Sequence, residues 1–330
     1  MSATPEASGS SGAPQGGWWA KVKRLLTFTF FAAVTVFVVR YARNVEWAEV
    51  WSSIAETPWQ LLSGAAALSA LSYTLYSCFD LLGRHYTGHT LPTRRVMKIN
   101  FISYAFNLNL GAVVGAVAFR FRLYSRLGLD NATIGRVVSL SLVTNWLGYL
   151  LLAGGAFVIA PLQLPPHWKL DMVELRWLGV ALLAVVALYV ALCLWSPRRS
   201  FTIRGHELLL PPRRMVPLQL AMSCANWMMM AGVVYLLLRR ELPYAAVLNV
   251  LLVAAIAGVI THVPAGIGVL EGVFVALLSH RISEWQLLAA LLSYRALYYM
   301  IPLLVAALLY LWFEARVRVS GRSARGSPAG

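Results

Sequence analysis

The chain has 330 residues, of which 59% are hydrophobic and only 12% are charged, and its mean hydropathy is +0.67. Soluble domains carry about 25% charged residues, so this composition excludes an ordinary water-soluble protein. A net charge of +15 would suggest nucleic acid as the partner of a soluble protein. Here Lys and Arg lie between apolar runs, where they orient membrane helices, and we expect no nucleic-acid partner.

Eight apolar stretches follow one another along the chain, each near the roughly 20 residues that a helix needs to cross the hydrocarbon core. They lie at Leu25–Val39 and at 59–82, 97–119, 137–160, 177–196, 215–238, 244–280 and 286–312. The first follows three cations without a cleavage site, which predicts a retained anchor. The ends, 1–20 and 316–330, predict disordered cytoplasmic tails around one transmembrane helical domain over 21–315.

The distribution of Lys and Arg distinguishes two topologies. If all eight stretches crossed the membrane, the loops and tails would hold 15 cations inside and 12 outside. If 97–119 and 244–280 each enter and leave by the same side, the division becomes 20 inside and 7 outside. The positive-inside rule favours the second. We therefore predict an all-α polytopic membrane protein with six spanning helices, two re-entrant hairpins in a four-plus-four inverted repeat, and cytoplasmic termini.

Both predicted hairpins carry helix-breaking residues at their middles. These residues are Asn107, Asn109, Gly111 and Gly115 in the first, and Pro264, Gly266 and Gly268 in the second. Irregular backbone at membrane depth is tolerated only inside protein or against a water-filled cavity, so we expect the tips to line one. The two asparagines either bind polar headgroup atoms or satisfy the unwound backbone of their own hairpin.

Two ionisable side chains near the second hairpin need a partner or a task, because charge at membrane depth is costly. Glu271 lies in the first turn after the broken segment, where a structural cap and a functional carboxylate are equally good interpretations. Arg295 lies about ten residues into the last stretch, flanked by Tyr294, Tyr298 and Tyr299. A buried pair with Glu271 is the simplest way to tolerate both charges.

Arg120 and Arg122 follow the first hairpin, and a guanidinium binds a phosphate through two parallel hydrogen bonds. This predicts a site for anionic lipid headgroups, while plain anchoring at the cytoplasmic face is an equal interpretation. Asp80 is expected to pair with Arg84 or with a loop arginine rather than to relay protons.

The sequence predicts no metal site and no cofactor. His85 and His89 are four residues apart, but Gly88 and Pro92 disfavour a helix there and no third ligand follows. The cysteines lack CxxC spacing and are interpreted as apolar packing residues: Cys78, Cys193 and Cys224. No nucleophile–base pair or nucleotide-binding loop is present, so we predict no catalytic residues and no direct use of ATP.

Two motifs resemble the transmembrane region of the lysylphosphatidylglycerol synthase family. They are SYAFNLNLG (103–111), followed by Gly115 and RFRLYSRLG (120–128), and PAGIGVLEG (264–272). The resemblance covers about residues 20–315. In this family the full-length enzymes join a membrane unit, which moves aminoacylated phosphatidylglycerol between leaflets, to a soluble domain that transfers the amino acid from tRNA.

This chain has no room for the soluble domain, so the resemblance implies a stand-alone, non-enzymatic member in the inner membrane of Gram-negative bacteria. It also implies that Arg120, Arg122, Glu271 and Arg295 match the polar residues of the family. Three functions remain open. The first is flippase-like handling of anionic phospholipids, the second is a non-transporting partner of a lipid-synthesis enzyme, and the third is proton-driven transport of a small anion through Glu271.

Overall fold

The structure, a computed structural model, describes residues 48, 51–52, 55–159, 172–196, 200–203, 206–261 and 263–325. The chain is an all-α polytopic membrane protein, as its sequence predicts. One short antiparallel ribbon, β1 (Ser200–Ile203) with β2 (His206–Leu209), lies between two of the helices. The predicted anchor Leu25–Val39 and the predicted tail at 1–20 lie outside the described residues.

The helices of the described part are listed here in chain order. They are α1 (Trp59–Ser77), α2 (Phe79–Thr87), α3 (Thr93–Leu110), a first π-helix (Ala112–Ala118), α4 (Phe119–Arg126), α5 (Asn131–Ile159), α6 (Met172–Trp195), α7 (Met215–Leu237), α8 (Tyr244–Thr261), a 3₁₀ turn (Pro264–Gly266), α9 (Val269–Leu278), α10 (Glu284–Tyr294), a second π-helix (Arg295–Met300) and α11 (Ile301–Arg325).

Six helical stretches of the described part are long and apolar enough to cross a membrane. They are Trp59–Thr87, Asn131–Ile159, Val173–Trp195, Met215–Leu237, Tyr244–Thr261 and Glu284–Phe313. Five of them coincide with predicted spans. The remaining one, Tyr244–Thr261, is the first arm of the hairpin predicted at 244–280. The second arm of this hairpin, α9, has only 10 residues. The re-entrant placement of this hairpin and the inverted repeat stay predictions.

Hairpin 1 consists of α3, the first π-helix and α4. Gly111 reverses the chain with a φ of +87°, a conformation that glycine adopts without steric cost. The returning arm packs so closely that a β-carbon on Gly115 would lie 2.0 Å from the backbone nitrogen of Asn107. His89, just before α3, lies 6.2 Å from Tyr124 in α4 between ring centroids. Both ends of hairpin 1 therefore lie at one end of the helical bundle.

Hairpin 2 consists of α8, the 3₁₀ turn and α9, which packs back against α8. Its turn contains three residues with positive φ: Ala265 (+56°), Gly266 (+57°) and Gly268 (+79°). The ring of Tyr244, at the start of α8, contacts that of Tyr235 near the end of α7 at 5.6 Å between centroids. Ile282, just after α9, lines a cleft with Leu238. Leu236 of α7 also faces Gly64 near the start of α1, and the span Trp59–Thr87 leads from there to hairpin 1. Both ends of hairpin 2 therefore lie at the opposite end of the bundle from those of hairpin 1.

A buried polar network joins three helices to the second π-helix. The hydroxyl of Ser72 in α1 lies 2.6 Å from that of Tyr298 and donates to the side-chain carbonyl of Asn226 in α7 at 2.8 Å. The hydroxyl of Tyr104 in α3 lies 3.1 Å from that of Tyr298. Polar groups that are satisfied in a low-dielectric interior fix one arrangement of the helices, so this network holds the π-helix in place between the two hairpins.

Helix α11 continues to Arg325, ten residues past the predicted end of the membrane domain at 315. A helix already formed adds a hydrogen bond for each further residue at little cost, and Ala, Arg and Val accept the helical conformation. The disordered tail at 316–330 stays a prediction, and 326–330 lie outside the described residues.

Candidate functional site

The tip of hairpin 2 is held by a set of contacts that we name the tip clasp: Glu271, Arg295 and the backbone of 265–268. The Arg295 guanidinium donates to the carbonyls of Ala265 and Gly266, each at 2.9 Å. It also donates from Nε and Nη2 to the two carboxylate oxygens of Glu271, the second at 2.9 Å. The Glu271 carboxylate accepts a further bond from the Gly268 N–H at 2.9 Å.

The local sequence explains why the clasp forms. Pro264 and the following glycines interrupt the helix, so carbonyls of the turn lose their helical partners. Glu271 is the third residue of α9 and reaches back to the N–H of Gly268, which is the capping half of its role. Arg295 supplies the missing donors. The structure thus brings Glu271 and Arg295 together and adds two backbone carbonyls that the sequence did not indicate.

The clasp is not sealed from its surroundings. The side chain of Arg295 is 12% exposed, whereas that of Glu271 is 3% exposed. The guanidinium lies over the ring of Tyr299 at 5.5 Å, an arrangement that favours the charged form through the ring quadrupole. Arg295 and Tyr299 both belong to the second π-helix, and single π-turns inside α-helices are frequent at functional sites.

The tip of hairpin 1 reaches the same π-helix. The amide nitrogen of Asn109 donates to the carbonyl of Ala105 at 2.8 Å and to that of Tyr299 at 3.4 Å. The Asn109 amide therefore bonds to backbone carbonyls of α3 and of the second π-helix. The side chains of Asn107 and Asn109 and the backbone at Gly111 are partly exposed, and the 3₁₀ turn of hairpin 2 packs against α3. The two tips consequently meet beside Arg295.

A second ion pair lies at the base of hairpin 1, in a group that we name the base cluster: Asp80, Asn100, Arg120, Tyr124 and Ser141. Arg120 donates to both carboxylate oxygens of Asp80, at 3.0 and 3.1 Å. It also bonds to the side chains of Asn100 and Ser141, and Tyr124 donates to Asp80 at 2.9 Å. Both charged side chains are 0% exposed.

The guanidinium of Arg120, for which the sequence suggested headgroup binding or plain anchoring, is enclosed and bonded to a protein carboxylate. Asp80 pairs with this arginine, one of the loop arginines considered for it, and Arg84 instead donates to Thr93 at 2.6 Å. Arg122 is exposed and lies over the ring of Tyr310 at 5.7 Å. Of the two arginines, only Arg122 has its side chain at the surface.

The sequence placed Tyr298 beside Arg295 but did not single out the other members of the polar network, which are Ser72, Tyr104 and Asn226. Their signal was present, since Asn226 is an amide inside an apolar stretch and is 1% exposed in the structure. Polar side chains inside spanning helices face the bundle interior and find partners there. Its partner Ser72, however, lies 154 positions away in the chain, and spacing along the sequence does not indicate such a contact.

The fold and the site define a polytopic helical membrane protein in which the turns of two helical hairpins pack beside a π-turn that carries an ion pair. The chain belongs to the lysylphosphatidylglycerol synthase TM region family, which matches residues 24–306.

Relatives fall into two kinds. Inner membrane protein YbhN of Escherichia coli is 48% identical over 91% of this chain and 95% of its own length. An uncharacterized protein of Synechocystis is 30% identical over 88% of this chain and 92% of its own length. Phosphatidylglycerol lysyltransferase of Staphylococcus haemolyticus is 25% identical over 86% of this chain but only 34% of its own length. The similarity thus spans whole proteins of the first kind and a part of the second.

Proposed function

We propose that this protein carries phospholipid headgroups through the bilayer interior at the place where the two hairpin tips meet. The observation that carries the proposal is the convergence of both broken segments on the second π-helix, with the partly exposed Arg295 between them. Broken helices at the membrane midplane are how transporters build substrate sites, because the unwound backbone offers polar groups where lipid tails offer none.

The polar groups at the tips match the chemistry of a phosphodiester. Arg295 presents a guanidinium that is fully bonded on its Glu271 side yet has one Nη1 hydrogen beyond the bonds described above. The side-chain amide of Asn107 and the side-chain carbonyl of Asn109 add polar groups at the neighbouring tip. The name of the lysyltransferase relative points to phosphatidylglycerol, and the headgroups proposed here are those of anionic phospholipids.

The proposed location is the inner membrane of a bacterium, with both termini in the cytoplasm. The relative from Escherichia coli is an inner membrane protein by name. One end of the described bundle carries a surplus of cations: Arg84, Arg94, Arg95, Lys98, Arg122, Arg126, Arg136, Arg213 and Arg214. By the positive-inside rule this basic end faces the cytoplasm, which gives hairpin 1 a cytoplasmic entrance and hairpin 2 an external one.

The test is leaflet exchange in vesicles of phosphatidylethanolamine and phosphatidylglycerol that contain a trace of fluorescent phosphatidylglycerol. After a membrane-impermeant quencher is added, the fluorescent lipid of the inner leaflet should lose its protection faster in vesicles with the protein than in empty vesicles. Arg295→Gln should slow this exchange about tenfold or more, the effect of losing one charge-assisted contact in the transition state. The matched control is Arg176→Gln, which removes an exposed arginine of α6 and should leave the rate unchanged.

Two results would overturn the proposal. One is an exchange rate equal to that of empty vesicles, measured with protein whose melting curve shows that it is folded. The other is exchange that Arg295→Gln and Arg176→Gln slow to the same extent. Accumulation of a small anion that depends on a pH gradient, in the absence of lipid exchange, would instead support a secondary transporter.

A further inference from the structure

The tip clasp contains one positive and one negative charge. Arg295 is the cation, and the carboxylate of Glu271, whose side chain is 3% exposed, is the anion. Two tyrosines are the other ionisable side chains beside the pair. The guanidinium lies over the ring of Tyr299 at 5.5 Å, and the ring of Tyr294 lies 5.7 Å from that of Tyr299. Tyrosine hydroxyls are neutral at physiological pH, so the clasp as a whole carries no net charge.

The helices packed against Glu271 bring no further charge close to it. Helix α9 packs against α8 and α10. In α8 (Tyr244–Thr261) there is no acidic, basic or histidine residue, and the charged residue of α10, Glu284, lies at its far end. The N–H of Gly268 and the start of α9 also face the carboxylate, but a helix start supplies only about half an elementary charge. Glu271 therefore depends on Arg295 for its counter-charge.

The guanidinium of Arg295 has no edge with two hydrogens to spare. Its Nε and Nη2 atoms hold the carboxylate of Glu271. Its Nη1 and Nη2 atoms hold the carbonyls of Ala265 and Gly266. A phosphodiester that binds an arginine bidentately needs two parallel N–H groups. A headgroup that binds here therefore displaces either the carboxylate or the carbonyls.

Either displacement leaves two anions and one cation in the clasp. Two anions beside one cation in a poorly hydrated site are unfavourable, and such a site relieves the excess charge by protonating one of them. The carboxylate is the stronger base, so Glu271 and not the phosphodiester takes up the proton. Water at the partly exposed turn 265–268 supplies this proton. The proton returns to water when the headgroup leaves and Glu271 pairs with Arg295 again.

We infer that the protein moves one proton together with each anionic headgroup, with Glu271 as the proton carrier. This inference rests on the proposed function and adds the energy source of the transport. One negative and one positive charge cross the membrane together, so the transport is electroneutral. A pH gradient therefore drives it, whereas a membrane potential does not.

The test uses vesicles of phosphatidylcholine in which a trace of fluorescent phosphatidylglycerol is the only anionic lipid, so that its redistribution leaves the leaflet areas unchanged. When the lumen is about one pH unit more alkaline than the medium, vesicles with the protein should concentrate the label in the inner leaflet. The limit is about tenfold for one proton per lipid. A potassium diffusion potential set with valinomycin should leave the distribution unchanged. Empty vesicles under both gradients control for passive movement.

Glu271→Gln removes the proton carrier and keeps the shape of the side chain. In this variant the lipid should cross without a proton, so its distribution should follow the membrane potential and no longer the pH gradient. Glu284→Gln, at an exposed carboxylate of α10, is the matched control and should keep the response to pH. His262→Asn should keep it as well, and this control covers the ionisable residue of the segment 261–268 that lies outside the described residues.

The outcomes separate this inference from the proposed function. Lipid exchange that ignores the pH gradient would overturn the inference and leave the proposed function standing. A response to pH that survives Glu271→Gln, or that His262→Asn removes, would also overturn the inference alone. No exchange under any condition would overturn both. The unaltered protein decides the first and the last of these outcomes, so neither depends on the folding of a variant.

Discussion

Each hairpin is held by an ion pair, but the two pairs differ in how far they are shielded from their surroundings. In hairpin 1 the ion pair lies at the base, and both Asp80 and Arg120 are 0% exposed. In hairpin 2 the pair lies at the tip, and Arg295 is 12% exposed. A fully enclosed pair that is bonded on all sides fixes structure, whereas a pair at the edge of a broken segment can exchange partners. The comparison assigns a structural role to the base cluster and the proposed headgroup contact to the tip clasp.

The largest effect should come from the enclosed pair. Asp80→Asn leaves the Arg120 charge buried without a counter-ion, and breaking such a pair costs about 3–5 kcal/mol. The melting temperature in detergent, followed by tryptophan fluorescence, should fall sharply. Glu174→Gln removes an exposed carboxylate as the control. If Asp80→Asn melted like the control, the base cluster would not hold hairpin 1.

Breaking the tip clasp should cost less. Glu271→Gln removes the carboxylate, but Arg295 keeps the carbonyls of Ala265 and Gly266 and some contact with its surroundings. The expected loss is about 1.5–3 kcal/mol, typical of hydrogen bonds to a charged group. The same melting assay compares the loss of stability in Glu271→Gln with that in Asp80→Asn. A larger loss than that of Asp80→Asn would reverse the roles assigned to the two pairs.

The close packing of hairpin 1 gives a prediction without any charge. Gly115→Ala forces a β-carbon onto the backbone of Asn107 and should destabilise the protein by about 1–3 kcal/mol. Gly135→Ala, in a helix where nothing lies within 4 Å of the added carbon, is the matched control. Thermal melting of the two variants tests whether the arms of hairpin 1 touch as described, and equal melting would show that they do not.

The smallest effects concern the helices that follow each hairpin. Ser283 caps α10 by accepting from the N–H of Gln286, and Ser283→Ala should cost about 1 kcal/mol or less.

Asp130 caps α5 by accepting from the N–H of Thr133, and hydrogen bonds from Thr133 lower the pKa of its carboxyl group. A lowered pKa means that this contribution is present at neutral pH and is lost as the pH falls through the folded-state value.

Melting curves of Ser283→Ala, Asp130→Ala and the unaltered protein at neutral and strongly acidic pH separate the two caps. The difference due to Asp130 should shrink in acid, whereas the difference due to Ser283 should persist. A persistent difference for Asp130→Ala would show that its carboxylate does not act as the cap.

The sequence predicted the membrane class, most helix positions and the breaks at Gly111 and Pro264, since these depend on local composition. It did not predict that Arg120 is enclosed. A guanidinium at the end of an apolar stretch looks the same whether it faces lipid or a carboxylate that lies 40 residues earlier in the chain. Neither could spacing indicate that Arg295 would bond to the carbonyls of the hairpin turn, because that contact exists only once the broken backbone has formed.

Whether both hairpins are re-entrant can be measured by the accessibility of single cysteines in intact cells, after replacement of Cys78, Cys193 and Cys224. Reporters at Arg95 and Arg126 flank hairpin 1, and reporters at Glu241 and Ser279 flank hairpin 2; all four positions are exposed in the structure. If both hairpins are re-entrant, both reporters of hairpin 1 react only from the cytoplasm and both reporters of hairpin 2 react only from outside. If the two reporters of either hairpin lay on opposite sides, that segment would be an ordinary span and the meeting of two re-entrant tips would be contradicted.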